Sequence, residues 1–455
     1  MGKRIEAYWP GAGLLTSIPR RDRQGCAYWP YIPEPLVDRP LVLAAREAAD
    51  VADAERAISQ LERSAETLAD TEALARLLLR AESVSSSKIE GLEVGARRLL
   101  QADVARAHRE DVSDLTAADV LGNIDAMNLA IQGVGAGQAI TLDLLLDVHR
   151  RLMKPTCLAP VGGTIREKQN WIGGSSYNPC SASFVPPPPD MVHDLLLDLC
   201  AYCSTDTAPT VVQAAVAHAQ FEAIHPFADG NGRVGRTLIH MIFRRRGLTM
   251  TITPPVSLVL ATMSNDYIAG LNAMCYVGEA RSIQAIEAHN QWIGTFASAC
   301  TRSVADALAF EERISELQMR WRERVGPVRS DSMVLRLINA LPGTPLITAS
   351  EVRTILQCSL PAAVGAIDRL VRANILKPTL DRRRRQVYEA REAIAAFTSL
   401  ERQLASPTGN TQSDPPVRRV SSAADTRMSP HGTCAAMVSP AVSAIVHEIH
   451  HVSGA

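Results

Sequence analysis

The stretch from Ile224 to Arg236, IHPFADGNGRVGR, limits most tightly what this chain can fold into. Glycine permits left-handed backbone and close approach of a ligand. Gly230 and Gly232 flank Asn231 and are followed by Arg233. Beyond Gly232 the pattern turns helical: Val234, Leu238, Met241 and Ile242 recur at helical spacing, and Gly247 after three arginines is a stop signal. The glycine turn therefore opens a helix, and free N–H groups at a helix start make an anion site. Arg233 and Arg236 lie on one face of the first turn, and a planar guanidinium matches phosphate oxygens. Asp229 offers the hard oxygen that Mg²⁺ on phosphates takes. His225 stands just ahead, and imidazole is the usual proton acceptor near neutral pH. A base, a metal ligand and a phosphate cradle in one short stretch point to nucleotidyl or phosphoryl transfer to a hydroxyl.

The same segment resembles the signature of the Fic family, H-x-F-x-(D/E)-G-N-G-R-x-x-R, at His225, Phe227, Asp229, Gly230, Asn231, Gly232, Arg233 and Arg236. The resemblance implies AMP transfer from ATP to a hydroxyl side chain of a target protein. It assigns His225 as the base and Asp229 as the Mg²⁺ ligand. Gly230, Asn231, Gly232, Arg233 and Arg236 become the phosphate-binding set.

The 455 residues leave room for two or three domains. Aromatics make up only 4%, and runs of alanine, leucine and arginine point to a mainly helical protein. A formal net charge of −1 favours neither a nucleic-acid nor a membrane role for the whole molecule. The nine cysteines are scattered and odd in number, so no disulfide framework is expected, and Cys200 and Cys203 read as core thiols. The opening MGKRIEAYWPG has no apolar run of the secretory type, and no stretch is apolar enough to span a bilayer. A reducing cytoplasm is the expected setting.

Residues 1 to about 40 are rich in Pro, Gly, Tyr and Trp and are expected to be irregular. A helical pattern runs from Leu41 to about Leu79, with Val51, Ala54, Ile58 and Leu61 on one face. The run Ser85-Ser86-Ser87-Lys88-Ile89-Glu90-Gly91 reads as a helix terminus, with serines for capping and Gly91 for a stop. It also resembles the inhibitory motif (S/T)-x-x-x-E-(G/N) of many Fic proteins, at Ser86, Glu90 and Gly91. That resemblance implies that the Glu90 carboxylate pairs with Arg236 and competes there with a phosphate. Helices are expected over Asp114–Gln132 and Thr141–Met153.

From Thr164 two short extended stretches flank a Gly/Ser/Asn-rich loop and lead into Phe184-Val185 and four prolines, which suggests a hairpin. It looks like the family's flap, which would hold an incoming protein segment by strand addition. Helices follow over about Asp190–Cys203, from Thr210 into the signature, and from Gly247 to about Arg324. Tyr267 reads as a core residue, with a place beside an adenine pocket as the other reading.

Beyond Gly326-Pro327, three short helical patterns and TLDRRRRQVYEA resemble a winged helix-turn-helix. Residues 320–391 carry 14 Arg/Lys and 6 Asp/Glu, a net of +8. Arg382 to Arg385 would form the wing tip, and Arg369 and Arg372 the exposed helix face. Such a module can bind a DNA backbone or serve dimerisation or target docking. Its removal is expected to leave the chemistry intact, since every proposed phosphate-binding residue precedes Arg324. The tail from about Ser406 reads as disordered, and His447-Glu448-Ile449-His450-His451 within it fits a zinc motif by chance.

The whole reading is a mainly α protein in four parts. Residues 1–130 form an N-terminal helical region with the inhibitory motif. Residues 131–320 form a Fic-type helical core with a β-hairpin flap. Residues 325–400 form a winged helix-turn-helix-like domain, and 406–455 a disordered tail. The implied enzyme is a protein adenylyltransferase using ATP and Mg²⁺. Its partners are a target protein held at the flap, itself through self-modification, and a homodimer mate or DNA through the basic module; no membrane is involved. The alternatives are AMP removal or phosphoryl transfer by the same core, or a DNA-binding regulator.

Overall fold

The computed structural model describes residues 1–11, 19–67, 71–381 and 385–404. The chain is mainly helical, with 15 α-helices and three small sheets among the described residues. The N-terminal segment holds four short strands: β1 (Lys3–Arg4), β2 (Ala7–Trp9), β3 (Cys26–Tyr28) and β4 (Tyr31–Ile32). β1 pairs with β4 and β2 with β3, both antiparallel. The expectation of irregular structure up to residue 40 is thus corrected, because Trp9, Tyr28 and Tyr31 pack as strand residues against neighbouring aromatic rings.

The continuous helix expected from Leu41 to Leu79 is two: α1 (Ala45–Thr67) and α2 (Thr71–Ile89). α2 carries Ser85, Ser86 and Ser87 in its last turns and stops where Gly91 takes a φ of 82°. α3 (Ala96–Ala107), α4 (Leu115–Gln132) and α5 (Leu142–Met153) follow. Asp114 and Thr141 cap α4 and α5 with their side chains, so the sequence boundaries there match.

α6 (Pro189–Cys203), α7 (Thr210–Ile224) and α8 (Asn231–Arg245) form the centre. α7 and α8 are buried on nearly every side, as helices at the middle of a large core are. α9 (Val256–Thr262) and α10 (Ser264–Met274) pack beside them. α11 (Ile283–Val325) runs 43 residues, roughly 65 Å at about 1.5 Å per residue. Its first half packs Trp292 and Phe296 into the central core, and its end packs Leu317 and Trp321 into a second core.

That second core is built from α12 (Met333–Ala340), β5 (Leu346–Ile347), α13 (Ala349–Leu356), α14 (Leu360–Arg372) and β7 (Gln386–Glu389), with the exposed β6 (Lys377–Leu380) paired to β7. The sheet order is β5-β7-β6. α15 (Arg391–Leu404) then returns to the N-terminal helices. Its Phe397 packs with Leu77 and Ala81 of α2 and with Phe310 and Ile314 of α11. Arg97 on α3 reaches the buried Glu389 at 2.6 Å, and Arg385 reaches Glu110 at 2.6 Å. The C-terminal unit therefore shares packing with α2, the helix that carries Ser86 and leads into Glu90.

Arg369 is half-buried and donates to the Val325 and Pro327 carbonyls, and Arg385 is paired with Asp381 and Glu110. Of the expected basic surface, Arg372 alone among these three is exposed, while Arg382 to Arg384 lie outside the described residues. The tail from Ser406 and the His447–His451 motif lie outside them as well. No single described helix is long and apolar enough to cross a membrane.

The expectation that no disulfide forms is corrected: Cys26 on β3 is bonded to Cys180 across 154 residues. Such a pairing depends on tertiary proximity, which spacing in sequence does not reveal. It fixes the N-terminal strands to the loop 164–189. That loop holds one β-bridge, Ile172 to Phe184, and a 3₁₀ turn at Pro179–Ser181, so the hairpin is shorter than the sequence implies. Asn178 donates to the Asp22 carbonyl at 3.0 Å, and the Tyr31 N–H to the Val185 carbonyl at 2.9 Å.

Candidate active site

α7 ends at Ile224, and His225 takes the left-handed region with φ 49°. A non-glycine residue in this region is held by its surroundings. Arg166 supplies that hold: its Nε donates to the His225 carbonyl at 2.9 Å and its Nη2 to the Pro187 carbonyl at 2.5 Å. Asn170 donates to the Phe227 carbonyl at 3.1 Å. The pre-flap loop thereby sets the angle at which His225 leaves the helix. Burial pushes the His225 imidazole down to about 4, helped by the Arg166 charge, while Glu90 and the Glu222 backbone pull the other way. The ring is neutral at pH 7, and its buried Nδ1 has no protein partner among the described residues.

The loop between α7 and α8 is closed by Asn231. The Phe227 N–H donates to Asn231 Oδ1 at 2.8 Å, and Asn231 Nδ2 donates back to the Phe227 carbonyl at 2.9 Å. The sequence reading places Asn231 among the phosphate ligands; in the fold its amide is engaged at both ends, which leaves its backbone N–H for that role. Gly230 caps α8 with φ 78°, a conformation only glycine takes without strain. The Val234 N–H donates to the Gly230 carbonyl at 3.0 Å, so the N–H groups ahead of it lie at the open end of the helix ladder.

Arg233 is 3% exposed and donates through Nη2 to Asp229 Oδ2 at 3.0 Å. Its Nε and Nη1 are buried without a partner among the described residues. A desolvated guanidinium with two idle donors at a helix start has the chemistry of an anion receptor. Asp119 on α4 also faces Arg233 and Asp229; burial raises its carboxyl to about 6, Arg233 lowers it and Asp229 raises it. Asp119 carries no local signal in the sequence, because only the α4–α8 packing brings it there.

Arg236 is 1% exposed. Its Nε donates to Ser86 Oγ at 2.9 Å, and Nη2 to the Ser86 carbonyl at 2.8 Å and to Glu90 Oε1 at 2.7 Å. Nη1 donates to the Tyr267 hydroxyl at 3.3 Å, which lies 2.9 Å from His218 Nε2. Tyr267 is a core residue, as read, yet it also supports Arg236. The Glu90 carboxylate rests directly over Gly232, where any side chain would collide with it. Burial alone would raise the Glu90 carboxyl, but Arg236 beside it, with Arg233 and His225, holds it below the ordinary carboxylate range. Gly91 lets the chain turn at once after Glu90. Asn123 on α4 fastens the end of α2 by donating to the Ser83 carbonyl and Ser87 Oγ at 2.7 and 3.1 Å.

Fold and site together define a helical protein with an anion receptor beside a neutral imidazole, closed by an acidic side chain from the turn that ends another helix. Residues 139–243 match the Fic/DOC family, and residues 48–132 match the N-terminal region of the same family. The chain thus contains two regions that match the Fic/DOC family. It is similar to the protein adenylyltransferase fic-1 of Caenorhabditis elegans, at 34% identity over 137 residues, covering 29% of this chain and 24% of that protein. It is similar to the protein adenylyltransferase Fic of Drosophila melanogaster, at 30% over 149 residues, covering 31% of this chain and 28% of that one. A probable protein adenylyltransferase of Aquifex aeolicus is 43% identical over 68 residues, 15% of this chain and 21% of that one. The chain thus spans about a quarter of the length of the curated relatives it matches. Among solved structures, a Fic family protein from Desulfovibrio desulfuricans aligns over 78% of this chain and 98% of its own, at 21% identity and a TM-score of 0.47.

Proposed function

We propose that the protein is a protein adenylyltransferase that moves AMP from ATP to a Ser, Thr or Tyr hydroxyl, and that Glu90 restrains it. The observation that carries this reading is the pairing of a neutral His225, with Nδ1 idle, and a buried Arg233 with two idle donors at the start of α8. The names of the relatives point the same way. In the reaction the target hydroxyl oxygen attacks the α-phosphorus. The new O–P bond forms, the bond from that phosphorus to the bridging oxygen breaks, and pyrophosphate leaves. His225 takes the hydroxyl proton. The N–H groups of Asn231 and Gly232, with Arg233, hold the phosphates, and Arg236 takes the end of the phosphate chain when Glu90 releases it.

The residues fit a Mg²⁺ shared with substrate phosphates. Asp229 is a partly exposed carboxylate with one oxygen on Arg233 and the other without a protein bond among those described. Mg²⁺ bound there would offset phosphate charge. We further read the chain as the four parts given by its sequence. The α12–α14 unit with the β6–β7 hairpin is read as a winged helix, and its position against α3 and α15 favours a protein-docking role over DNA binding. Incubation with ATP labelled at the α- or the γ-phosphate tests the reaction. Label from the α position alone supports AMP transfer, and label from γ makes the protein a kinase.

A further inference from the structure

His149 stands on α5 and is 1% exposed, outside the signature. Its Nδ1 accepts the backbone N–H of Gly163 at 3.0 Å. An accepting Nδ1 carries no proton, so the proton of the neutral ring is on Nε2. Nε2 lies 3.1 Å from the Asp229 carbonyl and therefore donates to it. The ring also stacks on Phe227, with centroids 3.7 Å apart and planes at 10°. One imidazole thus touches the signature loop at two residues, and both its nitrogens are used.

We infer that His149 is a positioning residue that sets the metal-binding carboxylate of Asp229. The inference rests on the proposed function, because it presumes that Asp229 meets Mg²⁺ on a nucleotide. Asp229 is held twice: its carbonyl by His149 and its carboxylate by Arg233. With both ends fixed, Asp229 Oδ1 has few directions to face. The Gly163 bond matters because it forces the tautomer that can donate; the other tautomer would set a lone pair against the carbonyl. An outer partner of a metal ligand typically accounts for about 10–100-fold in metal affinity.

The test uses the full chain carrying Glu90→Gly, with titration calorimetry of ATP in Mg²⁺ and of ATP in EDTA. His149→Phe keeps an aromatic ring on Phe227 and removes both nitrogen bonds. His149→Gln returns an N–H donor near the Nε2 position. The Phe variant should bind Mg²⁺–ATP about 10-fold or more weakly, while ATP in EDTA binds within about twofold of the Glu90→Gly protein, since Arg233 and Arg236 are untouched. The Gln variant should recover most of the Mg²⁺-dependent affinity. Equal loss in both media, or no loss in either, overturns the inference: the first makes His149 a packing residue and the second makes it idle. Should His149→Phe not fold, the Gln variant decides alone: Mg²⁺–ATP affinity within about threefold of the Glu90→Gly protein supports the inference, and a common loss in both media overturns it. If the Glu90→Gly protein itself binds no Mg²⁺–ATP, the proposed function has failed and not the role of His149.

Discussion

Glu90 Oε1 lies 2.7 Å from Arg236 Nη2, and the same carboxylate covers Gly232 at the open end of α8. The two residues are 146 positions apart in sequence: Glu90 immediately follows α2 and Arg236 lies on α8. Glu90 thus stands where an anion would bind and takes the cation that would bind it. Glu90→Gly should raise α-label transfer from ATP. The pair is partly solvated, so the gain is expected near about 1.5 kcal/mol, roughly 10-fold, at the low end for charge-assisted bonds. The same variant should melt lower without nucleotide and show a larger thermal shift with Mg²⁺–ATP. Adding Arg236→Ala should cancel the gain, because both changes act on one contact. Equal labelling by wild type and Glu90→Gly would reduce the Ser86–Gly91 segment to a helix stop.

His225→Ala should lower transfer by about 10²–10⁴-fold, the usual loss on removing a general base. ATP affinity should stay near wild type, since no phosphate contact is assigned to this side chain. Calorimetry alongside label transfer separates the two effects, and wild-type labelling by the Ala variant would remove His225 from the chemistry.

The pH profile should carry the mark of burial. With His225 pushed down to about 4, the acid limb of kcat/KM for ATP is expected near pH 4, well below the ordinary imidazole value. A bound triphosphate adds negative charge and raises the group again, so the kcat limb should lie higher. For stability the sign follows from the depressed value in the folded chain. The contribution of this group is present above the ordinary histidine value near 6.5 and declines as pH falls toward about 4. An acid limb of kcat/KM at 6.5 would mean an imidazole open to water.

Asp229→Asn should keep a bond to Arg233 and lose the charge offered to Mg²⁺. The Mg²⁺ concentration for half-maximal transfer should rise by at least about 10-fold, the low end of what even an outer partner of a metal site contributes. An unchanged Mg²⁺ titration would take Asp229 out of the site.

A chain ending at Arg324 strips Phe397 from Leu77 and Ala81 and removes the Glu389 partner of Arg97. Both losses fall on α2 and α3, the helices on either side of Glu90. Such a chain should unfold at a lower temperature than wild type and should label faster per folded molecule, as Glu90→Gly does. Wild-type stability and restraint in the shortened chain would show that α2 is held by the central core alone.

The signature and the caps of α4 and α5 were legible because their cues are local: glycines with a forced turn, an Asp and a Thr with a hydroxyl or carboxylate at the helix start. The Glu90–Arg236 pair was legible only through two motifs read together. His149 and Asp119 left no local trace, since their roles arise where α5 and α4 cross α8. Asn231 has the right chemistry for a phosphate ligand, yet the Phe227 backbone claims both ends of its amide. The N-terminal strands were missed because Pro and Gly dominate the composition, while the pairing of β2 with β3 and the Cys26–Cys180 bond depend on distant partners.

The bond between Cys26 and Cys180 closes residues 26–180 into a ring. Ser86, Glu90, Asp119 and His149 belong to the ring; His225, Asp229, Arg233 and Arg236 follow it in sequence. The site is assembled where the ring meets the stretch that follows it, with Glu90 on one and Arg233 and Arg236 on the other. A single peptide cut in the loop 109–113 opens the ring yet releases nothing. The two pieces travel together in a denaturing gel until a thiol reductant separates them.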